Sequence, residues 1–156
     1  MRSRGFTLIE IVVTVAIVGL LATAIFPLAE LAVQRTKEEQ LRESLRSIRT
    51  AIDAYKAAAD EGRIEMEVGE SGYPPNLEVL SDGVTDVSDP NLGTIYFLRR
   101  IPRDPFYPDP VTTAAETWGL RSYKSSPDDP QPGEDVFDVY SLTTRASLNG
   151  IAYREW

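Results

Sequence analysis

The apolar residues of this chain fall into two patterns, one continuous and one periodic. The continuous run is Ile11-Val12-Val13-Thr14-Val15-Ala16-Ile17-Val18-Gly19-Leu20-Leu21-Ala22-Thr23-Ala24-Ile25-Phe26. With Leu8 and Ile9 ahead of it, this gives about 20 apolar positions, enough for a helix to cross a bilayer. Pro27 ends the run. It removes a backbone donor and crowds the carbonyl of Thr23, which predicts a kink or loosening there. Gly19 lowers helix stability in the same region. The periodic pattern begins at Leu41 and continues through Leu45, Ile48, Ile52, Tyr55 and Ala59. Spacings of four and three draw one stripe down an amphipathic helix, and that stripe must cover a small domain. Arg42, Glu43, Arg46, Arg49 and Lys56 lie between the apolar positions and are expected to face water. Arg35, Lys37, Glu38 and Glu39 precede the stripe in what reads as a mainly polar turn. Gly62 is the expected stop.

Beyond Gly62 no long helical period remains, and Gly, Pro, Asp and Ser become frequent. Tyr73-Pro74-Pro75 reads as a turn into a short helix, with Leu77 and Leu80 packing inward. Residues 98–106 read as a loop, because Pro102 and Pro105 cannot donate to a strand ladder. Residues 107–117, with Pro108 and Pro110, predict an exposed loop. Residues 120–124 and 136–141 alternate apolar and polar and predict short strands, joined through the Pro- and Asp-rich segment 126–135. Residues 151–156 predict a last edge element. The expected fold class is α+β: a long N-terminal helix, part membrane span and part amphipathic, packed on a small antiparallel sheet with irregular loops.

Composition narrows the chemistry. A chain of 156 residues leaves room for one domain beyond the apolar helix. Its formal charge of −8 disfavours nucleic acid as a general partner, since binding phosphates needs a basic surface. Cysteine and histidine are both absent, which excludes disulfides, Cys- or His-ligated metals and His-dependent nucleophiles. No P-loop is present, so any motor must be a separate protein. An anchored enzyme would have to use carboxylates such as Asp104, Asp109, Asp128 and Asp138. Asp is common in turns for conformational reasons alone, and the chain is expected not to be an enzyme.

Glu10 stands at the head of the apolar run, behind the basic stretch Met1-Arg2-Ser3-Arg4 and the junction Gly5-Phe6-Thr7-Leu8-Ile9. A charge there costs a few kcal/mol, on the order of 3, unless it reaches water or a partner. Arg2 and Arg4 would hold the leader in the cytoplasm. An ordinary secretory signal, cut after Ala22-Thr23-Ala24, and a plain membrane anchor are the rival readings. The first leaves a carboxylate inside the apolar core, and the second leaves the Gly-Phe junction without a role.

This N-terminus resembles that of the type IV pilin and pseudopilin superfamily. The resemblance implies cleavage between Gly5 and Phe6, N-methylation of Phe6, and a role for Glu10 in docking subunits into a helical filament. A buried Phe6 amine and the Glu10 carboxylate of a neighbour would neutralise each other, where either alone would be costly. The resemblance also implies that the segment from Gly19 to Pro27 melts or stretches on assembly. Loss of Arg2 and Arg4 would take the formal charge from −8 to −10.

Later blocks narrow the resemblance. Tyr73-Pro74 with Leu77 and Leu80, Ile101-Pro102-Arg103-Asp104-Pro105, Trp118-Gly119 with Tyr123, and Phe137-Asp138-Val139-Tyr140-Ser141-Leu142 occur in that order. Together they are similar to the major pseudopilin of type II secretion. The match departs in two places. An insertion separates Asp104-Pro105-Phe106 from Trp118-Gly119. The C-terminal loop, Gly- and Asp-rich and often calcium-binding in the family, is here residues 143–150, without a carboxylate and with Arg145 inside it. No cofactor is therefore expected. Calcium would have to draw on Asp128, Asp129, Glu134 and Asp135.

The resemblance implies a leader at 1–5, a transmembrane and filament-core segment at 6–29, an amphipathic helix at 30–62 and a periplasmic globular part at 63–156. It implies a single-pass inner-membrane protein cut by a prepilin peptidase. Such a protein would polymerise with itself, with other pseudopilins and with an assembly platform into a periplasmic pseudopilus for protein secretion. The alternative is a pilin or minor pilin of a surface filament serving adhesion, motility or DNA uptake.

Overall fold

A computed structural model describes residues 6–156, apart from the side chains of residues 24–27. The architecture is α+β, as expected. Helix α1 spans Leu8–Asp60. Its contacts divide the chain into two compact units, Met1–Thr36 and Lys37–Trp156.

In the first unit, α1 is apolar and uncovered. It is the one helix among the described residues long and apolar enough to cross a membrane, and none of its most apolar stretch is buried within the chain. The helix assignment continues through Pro27. Residues 35–39 are helical too, not the polar turn their composition suggested.

In the second unit the stripe is the core. Leu41, Leu45, Ile48, Ile52 and Tyr55 are all buried, as is Ala59 at its end. Burial of each large side chain is worth roughly 1.5–3 kcal/mol. The helix ends in a Schellman turn: Gly62 N–H bonds the Ala59 carbonyl and Arg63 N–H bonds the Ala58 carbonyl. Gly62 has φ +71°, a conformation that suits glycine at this position.

A short helix, α2 (Glu78–Asp82), follows. Leu77 and Leu80 pack inward, as their spacing predicted. The Leu80 carbonyl accepts the N–H groups of Phe97 and Leu98, which ties the next loop down. Strands β1 (Val84–Thr85) and β2 (Thr94–Ile95) pair antiparallel in a hairpin the sequence pattern did not reveal. Two residues per strand are too few to show a period.

Strands β3 (Trp118–Arg121) and β4 (Asp138–Ser141) form the second antiparallel pair, with Gly119 opposite Tyr140. A Cβ on Gly119 would fall 2.3 Å from the Tyr140 ring, so the pair requires glycine there. The ladder starts two residues earlier than predicted, because Trp118 enters the core while its Nε1 donates to the Pro102 carbonyl at 2.8 Å. It stops before Ser122, whose N–H turns to the Gln131 carbonyl. The last segment makes one bridge, Ala146 to Ala152, and then a 3-10 turn at Tyr153–Glu155.

Candidate functional site

The start of α1 carries the residues singled out for processing and assembly. Gly5 lies outside the described residues. Phe6 is exposed, as are the large apolar side chains that follow. Thr7 is the residue before the helix, and Glu10 is in its first turn. The Thr7 Oγ1 accepts the Glu10 N–H at 3.3 Å, and Glu10 Oε2 accepts the Thr7 N–H at 3.5 Å. This reciprocal pair is a capping box. It satisfies two donors that a helix start leaves open and sets a carboxylate against the positive end of the helix dipole. The Thr7-x-x-Glu10 signature ahead of an apolar run was legible in the sequence, but the sequence reading gave Glu10 only a role between subunits.

Two hydroxyls within the apolar stretch are also satisfied locally. Thr14 Oγ1 donates to the Glu10 carbonyl and Thr23 Oγ1 to that of Leu20, both at 2.7 Å. Neither needs water, so the stretch tolerates apolar surroundings. Pro27 lies within the helical backbone, and its side chain is outside the described part.

The C-terminal loop is held by polar residues that the sequence pattern assigned to solvent. Glu38 is buried, and its Oε1 accepts the Tyr153 hydroxyl at 2.8 Å and the Leu148 N–H at 2.9 Å. Tyr153 is fully buried and stacks on Phe106, with ring centroids 4.2 Å apart, and meets Trp156 edge-on. Arg49, expected to face water, donates to Asp138 Oδ1 at 2.7 Å and to the carbonyls of Trp156 and Val139 at 2.9 and 3.2 Å. Arg42 lies over the Trp156 ring and Arg145 over that of Phe106. Leu148 and Ile151 remain largely exposed. No sequence signal links residues 89 to 115 positions apart.

Of the carboxylates considered for catalysis, those of Asp104, Asp109 and Asp138 are each engaged separately. Buried Asp104 accepts the Ser141 hydroxyl at 2.5 Å and the Phe106 N–H at 2.7 Å. Asp109 accepts the Val111 N–H and the Thr112 hydroxyl, which hold its carboxyl below the usual range. Asp138 pairs with Arg49 and Arg121. Asp128 lies in the exposed 126–135 turn, where its N–H reaches Ser126. Asp135, grouped with that turn, is buried. Burial raises its pKa, but bonds from Ser71, Ser122 and Tyr123 outweigh this and leave it lowered. Asp86 is shifted well below the ordinary carboxylate value. Ser88 and the Arg63 guanidinium hold it at about 2.

Residues 1–26 match the prokaryotic N-terminal methylation motif. The chain is 28% identical to the type II secretion system core protein G of Klebsiella michiganensis, over 85% of this chain and 88% of that protein. It is 25% identical to the protein of that name from Escherichia coli, over 92% and 95% of the two chains. It is 34% identical to the type IV major pilin protein PilA of Myxococcus xanthus, over 47% of this chain and 33% of that one. No solved structure matches.

Proposed function

We propose that this chain, a pilin-superfamily protein most like the major pseudopilin of type II secretion, is the building block of a periplasmic pseudopilus that drives protein secretion. One observation carries the reading. The apolar half of α1 has nothing in its own chain to bury it, and a carboxylate stands at its head. Exposed apolar surface of that extent needs a membrane or other subunits.

In this reading the chain sits once in the inner membrane with residues 63–156 in the periplasm. A prepilin peptidase cuts between Gly5 and Phe6, and Phe6 is methylated. The span at 6–29 leaves the bilayer as the chain joins copies of itself, other pseudopilins and the assembly platform. Pro27 lacks the N–H that would hold the Thr23 carbonyl, so the helix is weakest there and can lengthen. The work is mechanical and not enzymatic, and nucleic acid is not a partner. Similarity to the pilin PilA supports the alternative of a surface filament, but it covers a third of that protein.

Glu10 does two things in this scheme. Before assembly its carboxylate is satisfied by the cap with Thr7. In the filament it faces the Phe6 amine of a neighbour, where charge is what matters. No cofactor is needed. The donors of residues 143–150 are hydroxyls, amides and carbonyls, and Oε1 of Glu38, the carboxylate bonded to this loop, already accepts two hydrogen bonds. That set does not fit calcium.

Two variants test the role of Glu10. Glu10→Ala is expected to insert in the membrane normally, since the span becomes more apolar, and to lose filament assembly. Glu10→Gln keeps a side chain that can cap the helix but removes the charge. It is expected to fail as Ala does when filaments are counted by electron microscopy. Normal filament yield from Glu10→Gln would discard the charge pair.

A further inference from the structure

A groove of about 510 Å³ runs beside the second half of α1. Its wall includes Arg42, Arg46 and Arg49, spaced by four and three residues and so on one helical face. Leu45, Ile151 and Trp156 give its lining an apolar part. Asp53 is the acidic residue among its lining. Arg49 is committed to Asp138 and two carbonyls, and Arg42 lies on the Trp156 ring. Arg46 is exposed and has no hydrogen bond or ion pair among the described residues. Ser147 also lines the groove. It is 7% exposed, yet its hydroxyl has no hydrogen-bond partner among the described residues. A cationic, part-apolar groove with a buried donor left open is built to receive an anionic group on an apolar neighbour.

The same folded unit carries a segment of that chemistry. Just past the Schellman turn, Ile64 is buried and Met66 half-buried, and they anchor a loop whose Glu65, Glu67, Val68 and Glu70 all point outward. Residues 64–70 hold three glutamates and no basic side chain. Val68 is 108% exposed, an apolar knob between acids. The turn is shaped by the Glu67 N–H, which bonds Glu70 Oε2 at 3.0 Å, and by the Glu70 N–H on the Glu67 carbonyl. The loop starts beyond the end of α1, roughly 20 Å further along the helix than Arg46.

We propose that the acidic loop at residues 64–70 of one copy docks into the arginine groove of the next. Val68 meets Leu45, Ile151 and Trp156, Glu67 pairs with Arg46, and the Ser147 hydroxyl donates to an incoming carboxylate. Loop and groove are different surfaces displaced along one axis, so the contact is heterologous. Such a contact generates an open helical array when the rotation it imposes does not close a ring. This rests on the filament reading above and adds to it the side-chain contact between outward domains. It also explains how a subunit whose formal charge is −10 once Arg2 and Arg4 are removed avoids purely repulsive packing: the array sets its basic face against its acidic loop.

The absence of cysteine gives a clean test. The full chain is expressed in cells with a complete secretion assembly apparatus, as wild type and with Arg46→Cys and Val68→Cys together or singly. Under mild oxidation the double variant is expected to give a ladder of multimers. Each single variant stays monomeric, and co-expressed single variants give dimers. Separately, Arg46→Glu and Glu67→Arg are each expected to lower filament yield about fivefold, and the double charge swap to restore it. Wild-type filaments with no ladder and no response to charge reversal would overturn the contact and leave the filament reading standing. A ladder without filaments would support the contact and overturn the filament reading. Dimers from either single variant would show a symmetric contact and overturn the proposal.

Discussion

The two halves of α1 carry the same kinds of large apolar side chain, and those side chains meet opposite fates. Ile48 and Leu41, in the second half, are fully buried by their own domain, whereas Leu8 and Leu20, in the first, are 81% and 73% exposed. The difference is one of patterning. A stripe at spacings of four and three covers one side and leaves the rest polar, so a single domain can satisfy it. A helix apolar all round cannot be satisfied by anything on one side, and its partner must surround it. Stability of the folded unit and competence to assemble are therefore properties of different residues on one continuous element.

The largest effect should come from the buried stripe. Ile48→Ala is expected to cost about 3 kcal/mol in unfolding experiments on the detergent-solubilised chain, from lost transfer energy and the cavity left behind. Leu20→Ala, equal in chemistry, is expected to leave that unfolding unchanged. A Leu20→Ala loss comparable to that of Ile48→Ala would mean that the apolar half is packed by its own chain.

Next in size is the clasp on the C-terminal loop. Glu38→Ala leaves the Tyr153 hydroxyl and the Leu148 N–H without their shared acceptor and should cost about 2 kcal/mol. Glu38→Gln retains an acceptor oxygen and should cost less. Melts in chelator and in millimolar calcium are expected to coincide, since nothing that binds only the folded state should raise them. A calcium-dependent rise would show that carboxylates near residues 128–135, or backbone carbonyls, form a site.

These contrasts also mark what could be read from the sequence. The stripe, the inward Leu77 and Leu80 and the β3–β4 pairing were legible because periodicity or alternation survives over several residues. Glu38 and Arg49 were not, since a charged residue on an amphipathic helix is indistinguishable from a solvated one until the distant chain that covers it is placed. The clasp joins Glu38 to Tyr153, and only the three-dimensional fold sets that pairing. The capping box was missed for a different reason. Its signature is visible in Thr7 and Glu10, but the same carboxylate at the head of an apolar run also fits a contact between subunits, and spacing alone does not separate the two.

The smallest effect concerns pH. Asp86 is held at about 2 when folded, against an ordinary value of 3.8. Its contribution is therefore complete above about pH 4 and is lost as pH falls from there toward 2. Asp109 and Asp135 are also lowered and act in the same direction. Acid titration of unfolding stability is expected to fall over that window, and Asp86→Asn should flatten part of the decline. An unchanged acid limb in that variant would remove Asp86 from the set of stabilising carboxylates.

The most direct measurement is the mass and sequence of the N-terminus of chain recovered from membranes or filaments. A subunit that is trimmed and then assembled through its apolar half must begin at Phe6 and carry a methyl group on that amine. A chain beginning at Ile25 would mean that the apolar half is a discarded signal, and one still beginning at Met1 in assembled material would mean that cleavage is not part of its path.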